Sequence, residues 1–519
     1  MKKNIVNRIA LYILALCMGL TACDSFEEFN TNPDKSTKVT SGMLATNLIL
    51  GIMQEDGTTK TFLRDDMLSK YVAWTEGNDI DYLFNKLGRT DDFSNYSFEN
   101  MAMLGNVEKM IGFAPNEKAK NSYTALGHFI RVWKFFDLTM RVGDVPYSES
   151  MKGEEGVEYP AYDSQKSVFL GLLNELDLAD QLFESGENFD GDPVYDGDVS
   201  KWRKAVNTLQ LKILINLYKK SADAELKVAD RFQKIVSGKP IFTSNDDNLQ
   251  LVHSDNSGQK YPFYKEGNNF IVFNQISSFV IDTLKVLGDR RLFYYAKPTV
   301  KSVDSGLEPT DWNAYNGVDP TLTFSEIQSA VETKNVSQLN LRYSELPEGE
   351  PTFKLSFAEM NFILSEAVVR GLLAGNAKSY YEQGIRAAMR FTADHTPDSY
   401  DYHHGMKITD QYISSYINGE KVTFATNASA QIAQIITQKY LATFLQTPFS
   451  GYFEYRRTGI PRFTINPQSN RNDPSDKMPI RWMYPQDEYN YNTENLKKAV
   501  DSQYNGVDTE NELMWILKD

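Results

Sequence analysis

The chain has 519 residues, of which 41% are hydrophobic and 24% are charged, and its formal net charge is −15 at pH 7. This composition excludes an intrinsically disordered chain and supplies enough apolar side chains for a sizeable core. Because the net charge is negative, electrostatic capture of nucleic acid or of an anionic membrane surface is disfavoured, and we predict no nucleic-acid partner.

The first residues have the pattern of an export signal. An apolar run over residues 9–20 follows the three basic residues Lys2, Lys3 and Arg8. The run is about 12 residues long, which is too short for a bilayer-spanning helix of roughly 20 residues. It closes on Leu20-Thr21-Ala22-Cys23, which resembles a bacterial lipoprotein box. The alternative is an ordinary secretory signal that happens to contain a cysteine.

Cleavage before Cys23 would change what the cysteines and charges of the chain mean. We predict a signal peptide over residues 1–22, a tether over 23–40 that is lipidated at Cys23, and one ligand-binding domain over 41–519. The only other cysteine, Cys17, would leave with the signal, so the exported domain would have no free thiol for a disulfide, a nucleophile or a zinc site. Loss of three basic residues would change the formal charge from −15 to −18.

Five segments of the domain carry apolar residues at the three- and four-residue spacing of amphipathic helices. They lie over residues 126–136, 169–183, 202–217, 360–372 and 432–444. Ser200 precedes the third segment as its predicted N-cap. Alternation with a period of two is scarce, so the sequence predicts a mainly helical fold.

Three long stretches between these segments lack sustained periodicity. They cover residues 240–275, 293–355 and 446–495, and they are rich in Gly, Pro, Asn, Asp and Tyr. Because loops of this length in a compact domain are usually functional or disordered, their many aromatic residues favour ordered loops that pack on the helices.

Short motifs along the chain carry a family resemblance. They are Phe29-Asn30-Thr31-Asn32-Pro33, Gly143-Asp144-Val145-Pro146-Tyr147, Tyr162-Asp163-Ser164-Gln165, Tyr195-Asp196-Gly197-Asp198, Ala358-Glu359-Met360, Ser365-Glu366-Ala367, Ile436-Thr437-Gln438-Lys439-Tyr440, Tyr455-Arg456-Arg457-Thr458-Gly459 and Arg481-Trp482-Met483-Tyr484-Pro485. In this order they resemble the SusD/RagB family of nutrient-binding outer-membrane lipoproteins, in its SusD-like branch.

The resemblance implies a fold, a location and partners. It implies a mainly α scaffold of four TPR-like helix pairs, with long ordered loops that form the ligand face. It also implies a lipid-anchored protein of the outer membrane, facing the extracellular side, that passes oligosaccharides to a TonB-dependent, SusC-like porin. Proteins of this family bind and do not catalyse, so the resemblance predicts no enzyme activity and no cofactor.

Two aromatic clusters on predicted loops are the candidate ligand site. Sugar rings stack on Trp or Tyr, while neighbouring Asn and Asp side chains bond the hydroxyls. The predicted ligand-binding residues are Trp74, Asn78, Asp79 and Tyr82 in the first cluster and Trp312, Asn313 and Tyr315 in the second. The alternative is that the tryptophans only fill the core.

Two other functions stay open at this point. The same scaffold would serve a peptide-binding subunit of a similar uptake complex. A surface glycosidase needs only two carboxylates about 5–10 Å apart, and a sequence with 69 acidic residues does not exclude such a pair. The motifs of serine hydrolases, nucleotide-binding enzymes and zinc peptidases are absent from the sequence.

Two polar clusters are possible metal sites, and we predict that neither binds a metal. The first contains Asp190, Asp192, Asp196 and Asp198, but Val194 stands where the calcium loop of an EF-hand needs an oxygen ligand. A turn that caps the following helix is the simpler interpretation. The second contains His395, His403 and His404, which lack the spacing of a zinc motif. We also predict structural roles for Gly143 and for Arg456 and Arg457, whose guanidinium groups would bond buried carbonyls or carboxylates.

Overall fold

We analysed the fold in a computed structural model. The structure describes residues 39–54, 59–77, 80–90, 92, 97–266 and 271–519. The predicted signal peptide, the lipidation site Cys23, most of the tether, and the candidate ligand residues Asn78 and Asp79 lie outside the described residues.

The described chain is mainly helical, as the periodicity predicts. Its α-helices are α1 (Ser41–Met53), α2 (Thr59–Asp66), α3 (Val107–Gly112), α4 (Glu117–Val142), α5 (Gln165–Ser185), α6 (Val199–Asn216), α7 (Val228–Gly238), α8 (Ser278–Leu287), α9 (Arg291–Tyr295), α10 (Val300–Asp304), α11 (Phe324–Glu332), α12 (Leu341–Ser344), α13 (Phe357–Val369), α14 (Ala377–Asp394), α15 (Tyr400–His403), α16 (Asp410–Ile417), α17 (Ala428–Ala442), α18 (Ser450–Thr458), α19 (Gln486–Tyr491) and α20 (Thr493–Tyr504). Short 3-10 helices occur at Glu99–Asn106, Gly153–Glu155, Tyr218–Lys220, Asn245–Asp247, Ile271–Phe273, Trp312–Ala314 and Trp515–Leu517.

The strands form two small antiparallel pairs. Strand β1 (Val72–Trp74) pairs with β3 (Asn274–Ile276), and Trp74 lies opposite Asn274. Strand β2 (Leu249–Leu251) pairs with β4 (Thr352–Leu355), with an irregularity in its register. Both pairs join segments that are distant in sequence, and the pair of β2 with β4 joins two of the long connections to each other.

All five predicted helical segments are helices in the structure. Helices α4, α5 and α6 pack side by side, as do α13, α14 and α17, and α6 contacts α13 between the two groups. The predicted apolar residues of α5 and α6 are completely buried, whereas Trp133 of α4 and Ile432 of α17 are only partly buried. Burial of this continuous apolar surface is the main term that stabilises the scaffold.

Where the structure describes them, the long connections are ordered, but they are less irregular than predicted. Helices α9 to α12, α18 and α19 interrupt two of them. Most of their aromatic residues are buried, including Tyr261, Phe263, Tyr452, Trp482 and Tyr484. The aromatic side chains therefore attach the loops to the helices, because each ring removes a large apolar surface from water.

The N-cap of α6 is Asp198, so the prediction of Ser200 was wrong by two residues. The Asp198 carboxylate accepts hydrogen bonds from the Ser200 backbone N–H at 2.8 Å and from the Ser200 hydroxyl at 2.7 Å. A carboxylate caps well because it accepts an otherwise unpaired N–H of the first turn and carries negative charge at the positive end of the helix dipole.

Replacing Asp198 by alanine is expected to lower the free energy of unfolding by about 1 kcal/mol. The loss follows from the unpaired N–H groups of the first turn of α6. Ser200→Ala is the matched control, because it keeps the capping carboxylate and the Ser200 backbone N–H. Urea unfolding followed by circular dichroism measures both variants. A control variant that loses as much stability as Asp198→Ala would contradict the assignment of the cap.

The acidic turn before α6 is held by hydrogen bonds of its own. The Asp192 carboxylate accepts from the backbone N–H of Val194 at 2.8 Å, from that of Gly197 at 3.0 Å and from the indole N–H of Trp202 at 2.8 Å. Within the described ranges no group of three or more His, Cys, Asp or Glu side chains is arranged to hold a metal ion. The arrangement is that of a capping turn.

A network of buried ion pairs joins four helices of the scaffold. Lys439 of α17 lies 3.2 Å from Glu359 of α13 and 2.9 Å from Glu454 of α18. Arg457 of α18 donates to both carboxylate oxygens of Glu366, at 2.6 and 2.8 Å, and to Glu454. Lys212 of α6 lies 3.1 Å from Glu359. Four members of the network come from the family motifs, namely Glu359, Glu366, Lys439 and Arg457. The network confirms the structural role predicted for Arg457.

The other motif residues also have structural roles. Arg456 donates to the backbone carbonyl of Ile480 at 2.9 Å. Gly143 ends α4 with a φ of +98°, and a Cβ there would lie 2.3 Å from the hydroxyl of Tyr504. Glycine is therefore required at this helix end, for its backbone conformation and for space.

Candidate functional site

Strand β3 connects the two regions in which ligand residues are predicted. One edge of β3 pairs with β1, which ends at Trp74. Just beyond its end, the backbone N–H of Ser278 donates to the carbonyl of Val318 at 2.8 Å, and Val318 in turn donates to Ile276 at 3.0 Å. Because Val318 follows closely after the second aromatic cluster, both predicted clusters are attached to one short strand.

The aromatic residues of the first cluster are buried. Trp74 is 1% exposed, and its ring centre lies 6.0 Å from that of Phe273. Tyr82 is also 1% exposed, and its hydroxyl accepts a hydrogen bond from the Trp482 indole at 3.1 Å. Burial raises the pKa of Tyr82 to about 12. In this conformation neither ring presents a face to solvent, so their direct contact with a ligand stays a prediction.

The second cluster begins at a short 3-10 turn. Asp311 caps this turn by accepting from the Asn313 backbone N–H at 2.8 Å. Tyr315 is fully buried, and its hydroxyl donates to the carbonyl of Pro309 at 2.7 Å. This bond ties Tyr315 to the segment before the turn, and its direct contact with a ligand likewise stays a prediction.

Trp312 and Asn313 are the members of the second cluster that reach the surface. Trp312 is only partly buried, and it packs edge-to-face on Phe293 of α9, with ring centres 4.8 Å apart at 74°. Such T-shaped contacts fix the orientation of a ring. Asn313 is exposed, and its side chain makes no hydrogen bond to another described residue. The Trp312 indole therefore has a fixed orientation, and the next residue, Asn313, has a side-chain amide that can bond a ligand.

Tyr400 at the start of α15 is a further surface aromatic that the sequence analysis missed. Its side chain is 52% exposed. A Cβ placed on Gly405 would lie 3.5 Å from the Tyr400 ring and 3.7 Å from Thr310, which stands just before the Trp312 turn. Tyr400 and the turn are therefore neighbours in space, although nearly ninety residues separate them in the chain. We call Trp312, Asn313 and Tyr400 the Trp312 platform.

Two histidines, His403 and His404, lie beside this platform and contact neighbouring side chains. His404 packs against Tyr315 and Tyr400, with ring centres 6.3 and 6.1 Å away, and burial lowers its pKa to about 4. It is therefore neutral at pH 7. His403 contacts the Asp398 carboxylate at 2.9 Å. Among the described residues these side chains do not form a metal site.

The platform has the composition of a surface that recognises a ligand with an apolar face and polar groups at its edge. Two aromatic side chains reach the surface, the Asn313 amide offers a donor and an acceptor, and His404 adds no charge. A helical scaffold that holds such a surface on its loops is typical of a binding protein. Among the described residues, no helix is both long enough and apolar enough to span a membrane.

The family of the chain is shown by its sequence. The model of the SusD-like family, described as starch-binding and associating with the outer membrane, matches residues 33–485. The protein therefore belongs to the SusD-like family. A comparison with curated proteins gave no match.

Solved structures agree with this assignment. A SusD homologue from Bacteroides fragilis NCTC 9343 is 42% identical, covers 92% of this chain and 100% of its own, and superposes with a TM-score of 0.88. A second SusD homologue from the same strain is 32% identical over 93% of this chain and 100% of its own, with a TM-score of 0.79. A chitin-binding SusD homologue from Flavobacterium johnsoniae is 19% identical over 92% of this chain and 97% of its own, with a TM-score of 0.70, and shows a shared fold.

These comparisons confirm the family resemblance and the predicted mainly α, TPR-like fold. They also associate the family with the outer membrane and with glycan binding.

Proposed function

We propose that this protein captures oligosaccharides on the Trp312 platform and passes them to a TonB-dependent, SusC-like porin. The observation that carries the proposal is the partly exposed Trp312, oriented by Phe293 and placed beside the exposed Tyr400. Membership of a starch-binding family supports glycan as the ligand class.

The residues of both predicted clusters have distinct roles in this proposal. Trp312 and Tyr400 stack on the C–H faces of sugar rings, and Asn313 bonds their hydroxyl groups. Asn78 and Asp79 supply further polar contacts from the first cluster. Trp74, Tyr82 and Tyr315 remain predicted ligand residues, and their rings are buried in this conformation.

The proposed location rests on the sequence and on the family. The lipoprotein box at Cys23 supports removal of residues 1–22 and attachment of lipid, and acyl chains contribute about 0.8 kcal/mol per buried CH₂ to membrane anchoring. A ligand platform that serves an uptake porin must face the extracellular side. We therefore propose a lipid-anchored protein on the outer surface of the outer membrane.

Replacing Trp312 by alanine is expected to weaken binding of the preferred oligosaccharide at least about tenfold, equivalent to about 1.4 kcal/mol. Tyr400→Ala should act in the same direction, because it removes the second stacking face. A glycan array identifies the ligand, and isothermal titration calorimetry then compares the variants. Chitin oligosaccharides belong on the array, since a structural relative binds chitin.

Tyr491→Ala is the matched control for these variants. Tyr491 is 72% exposed and lies on α19, a helix that carries no residue of the Trp312 platform. Its loss should leave the affinity unchanged. Unchanged affinity in both Trp312→Ala and Tyr400→Ala would contradict the proposed site and leave the family assignment intact.

The purified wild-type protein also serves to test the other ligand classes. A peptide library that binds while the glycan array stays blank would favour the peptide-binding alternative. We propose that the protein has no catalytic activity, so incubation with the bound glycan should release no reducing ends. Release that persists in the purified protein would identify a glycosidase instead.

A further inference from the structure

A cavity lies in the helical scaffold, among elements that do not carry the Trp312 platform. Helices α4, α6, α13, α17 and α18 surround it, together with the segment before α18 and Lys354 of β4, and its volume is about 130 Å³. An engineered cavity of about 150 Å³ lined by apolar side chains admits benzene. The space therefore suits a molecule the size of one aromatic ring, which is smaller than an oligosaccharide.

One side of the cavity is aromatic. Trp133 and Phe136 of α4 line it, as do Phe449 and Phe453 at the start of α18. Trp133 and Phe453 are only partly buried, so apolar surface remains available in the cavity. The guanidinium of Arg141 lies 4.7 Å from the ring centre of Phe449, and the Asp137 carboxylate pairs with it at 2.8 Å on the same side.

The other side is one end of the buried ion network. Lys212 lines the cavity, and its ammonium contacts only Glu359 among the described residues, at 3.1 Å. Burial lowers the pKa of Lys212. An ammonium has three donors, so Lys212 keeps capacity for a further acceptor. Thr447 adds a buried hydroxyl that has no hydrogen-bond partner in the described part of the chain.

The charges that line the cavity favour an anion. Four of the lining side chains are basic and three are acidic. The acidic members Glu359 and Glu454 are already paired with Lys439. An entering carboxylate would therefore meet an ammonium with a free donor, in a site where low dielectric strengthens the interaction.

We propose that this cavity binds a small monocarboxylate with an apolar body, such as an aromatic acid. Its carboxylate contacts the Lys212 ammonium, and its ring lies between Phe136 and Phe453. The site is separate from the Trp312 platform, so the proposal does not depend on the glycan function.

Benzoate is the probe, and benzyl alcohol is the neutral probe of nearly equal size. Isothermal titration calorimetry of the wild-type protein should show benzoate binding at least tenfold more tightly than benzyl alcohol. Lys212→Met should weaken benzoate at least tenfold and leave benzyl alcohol within about twofold. Lys219→Met is the matched control, because Lys219 also pairs with a carboxylate, that of Asp519, but lies outside the cavity.

A second variant blocks the space without touching the charges. Ser450 lines the cavity, and Ser450→Trp should abolish binding of both probes. Circular dichroism establishes that each variant is folded. The proposal is overturned if the wild-type protein binds neither probe at about 10 mM. It is equally overturned if benzoate binds no more tightly than benzyl alcohol, or if a folded Ser450→Trp variant binds benzoate like the wild type.

Discussion

Replacing Arg457 by methionine is expected to lower the free energy of unfolding by about 3–5 kcal/mol. Arg457 is buried between Glu366 and Glu454, and the side chains of all three are at most 6% exposed. Methionine keeps much of the apolar contact but removes the charge, so two buried carboxylates lose a partner. Breaking a buried pair is costly because water does not replace the lost partner, although Glu454 keeps Lys439 and Glu366 keeps Arg370. Guanidinium unfolding of both proteins measures the difference.

The loss should depend on pH. Burial alone would raise the pKa of Glu454, but Arg457 and Lys439 hold that pKa well below its ordinary value of 4.5. A depressed pKa in the folded state contributes stability that is present above pH 4.5 and is lost as the pH falls towards the folded pKa. The deficit of Arg457→Met should therefore be largest near pH 7 and should shrink below about pH 4.5, where protonated carboxyls need no cation.

Arg471→Met is the matched control for this experiment. Arg471 also contacts a carboxylate, Asp81 at 3.2 Å, but its side chain is 47% exposed. Exposed ion pairs contribute about 0–1 kcal/mol, so the control should lose less than about 1 kcal/mol. Equal losses in the two variants, or a deficit in Arg457→Met that does not change between pH 7 and pH 4, would contradict the role assigned to the buried network.

Replacing Gly197 by alanine is expected to cost at least about 3 kcal/mol of stability. Gly197 has a φ of +76°, and a Cβ there would lie 1.8 Å from the backbone carbonyl oxygen of Phe189. A backbone atom cannot rotate away as a side chain can, so the turn before α6 must open. Opening it also weakens the hydrogen bond from the Gly197 N–H to Asp192. Thermal and urea unfolding both report this loss.

Gly306→Ala separates the two causes of that loss. Gly306 has a similar φ of +87°, but no heavy atom lies within 4 Å of its Cβ position. Its substitution should cost only the conformational strain, about 1–2 kcal/mol. If Gly197→Ala costs no more than Gly306→Ala, then the close approach of Phe189 does not restrict the turn.

Helix positions and buried faces were predictable because they depend on local periodicity. The stripes of α5 and α6 each place an apolar residue on one side of a helix, and every one of those residues is buried. The cap of α6 was misassigned because Asp198 and Ser200 are both good capping residues, and only the backbone conformation distinguishes them. The motif residues Glu359, Lys439 and Arg457 were recognised, but their common network was not, because its members lie on four helices.

The candidate site was less predictable because exposure is not a local property. Trp74 and Trp312 stand in similar sequence contexts, rich in Asn, Asp and Tyr. The pairing of β1 with β3 buries Trp74, while Trp312 remains partly exposed on Phe293. Tyr400 had no signal in the sequence, since its position beside the Trp312 turn results from a contact between segments that are distant in the chain.

The sequence by itself determined the class of fold, the family and the helices, because apolar spacing and ordered motifs are properties of neighbouring residues. It also carried the lipoprotein box on which the proposed anchor at Cys23 depends. Only the tertiary structure decided which aromatic residues attach loops and which remain at the surface. It also decided that charged motif residues converge beside a cavity. The physical reason is that burial and long-range ion pairing depend on how distant segments pack, and composition alone does not specify that packing.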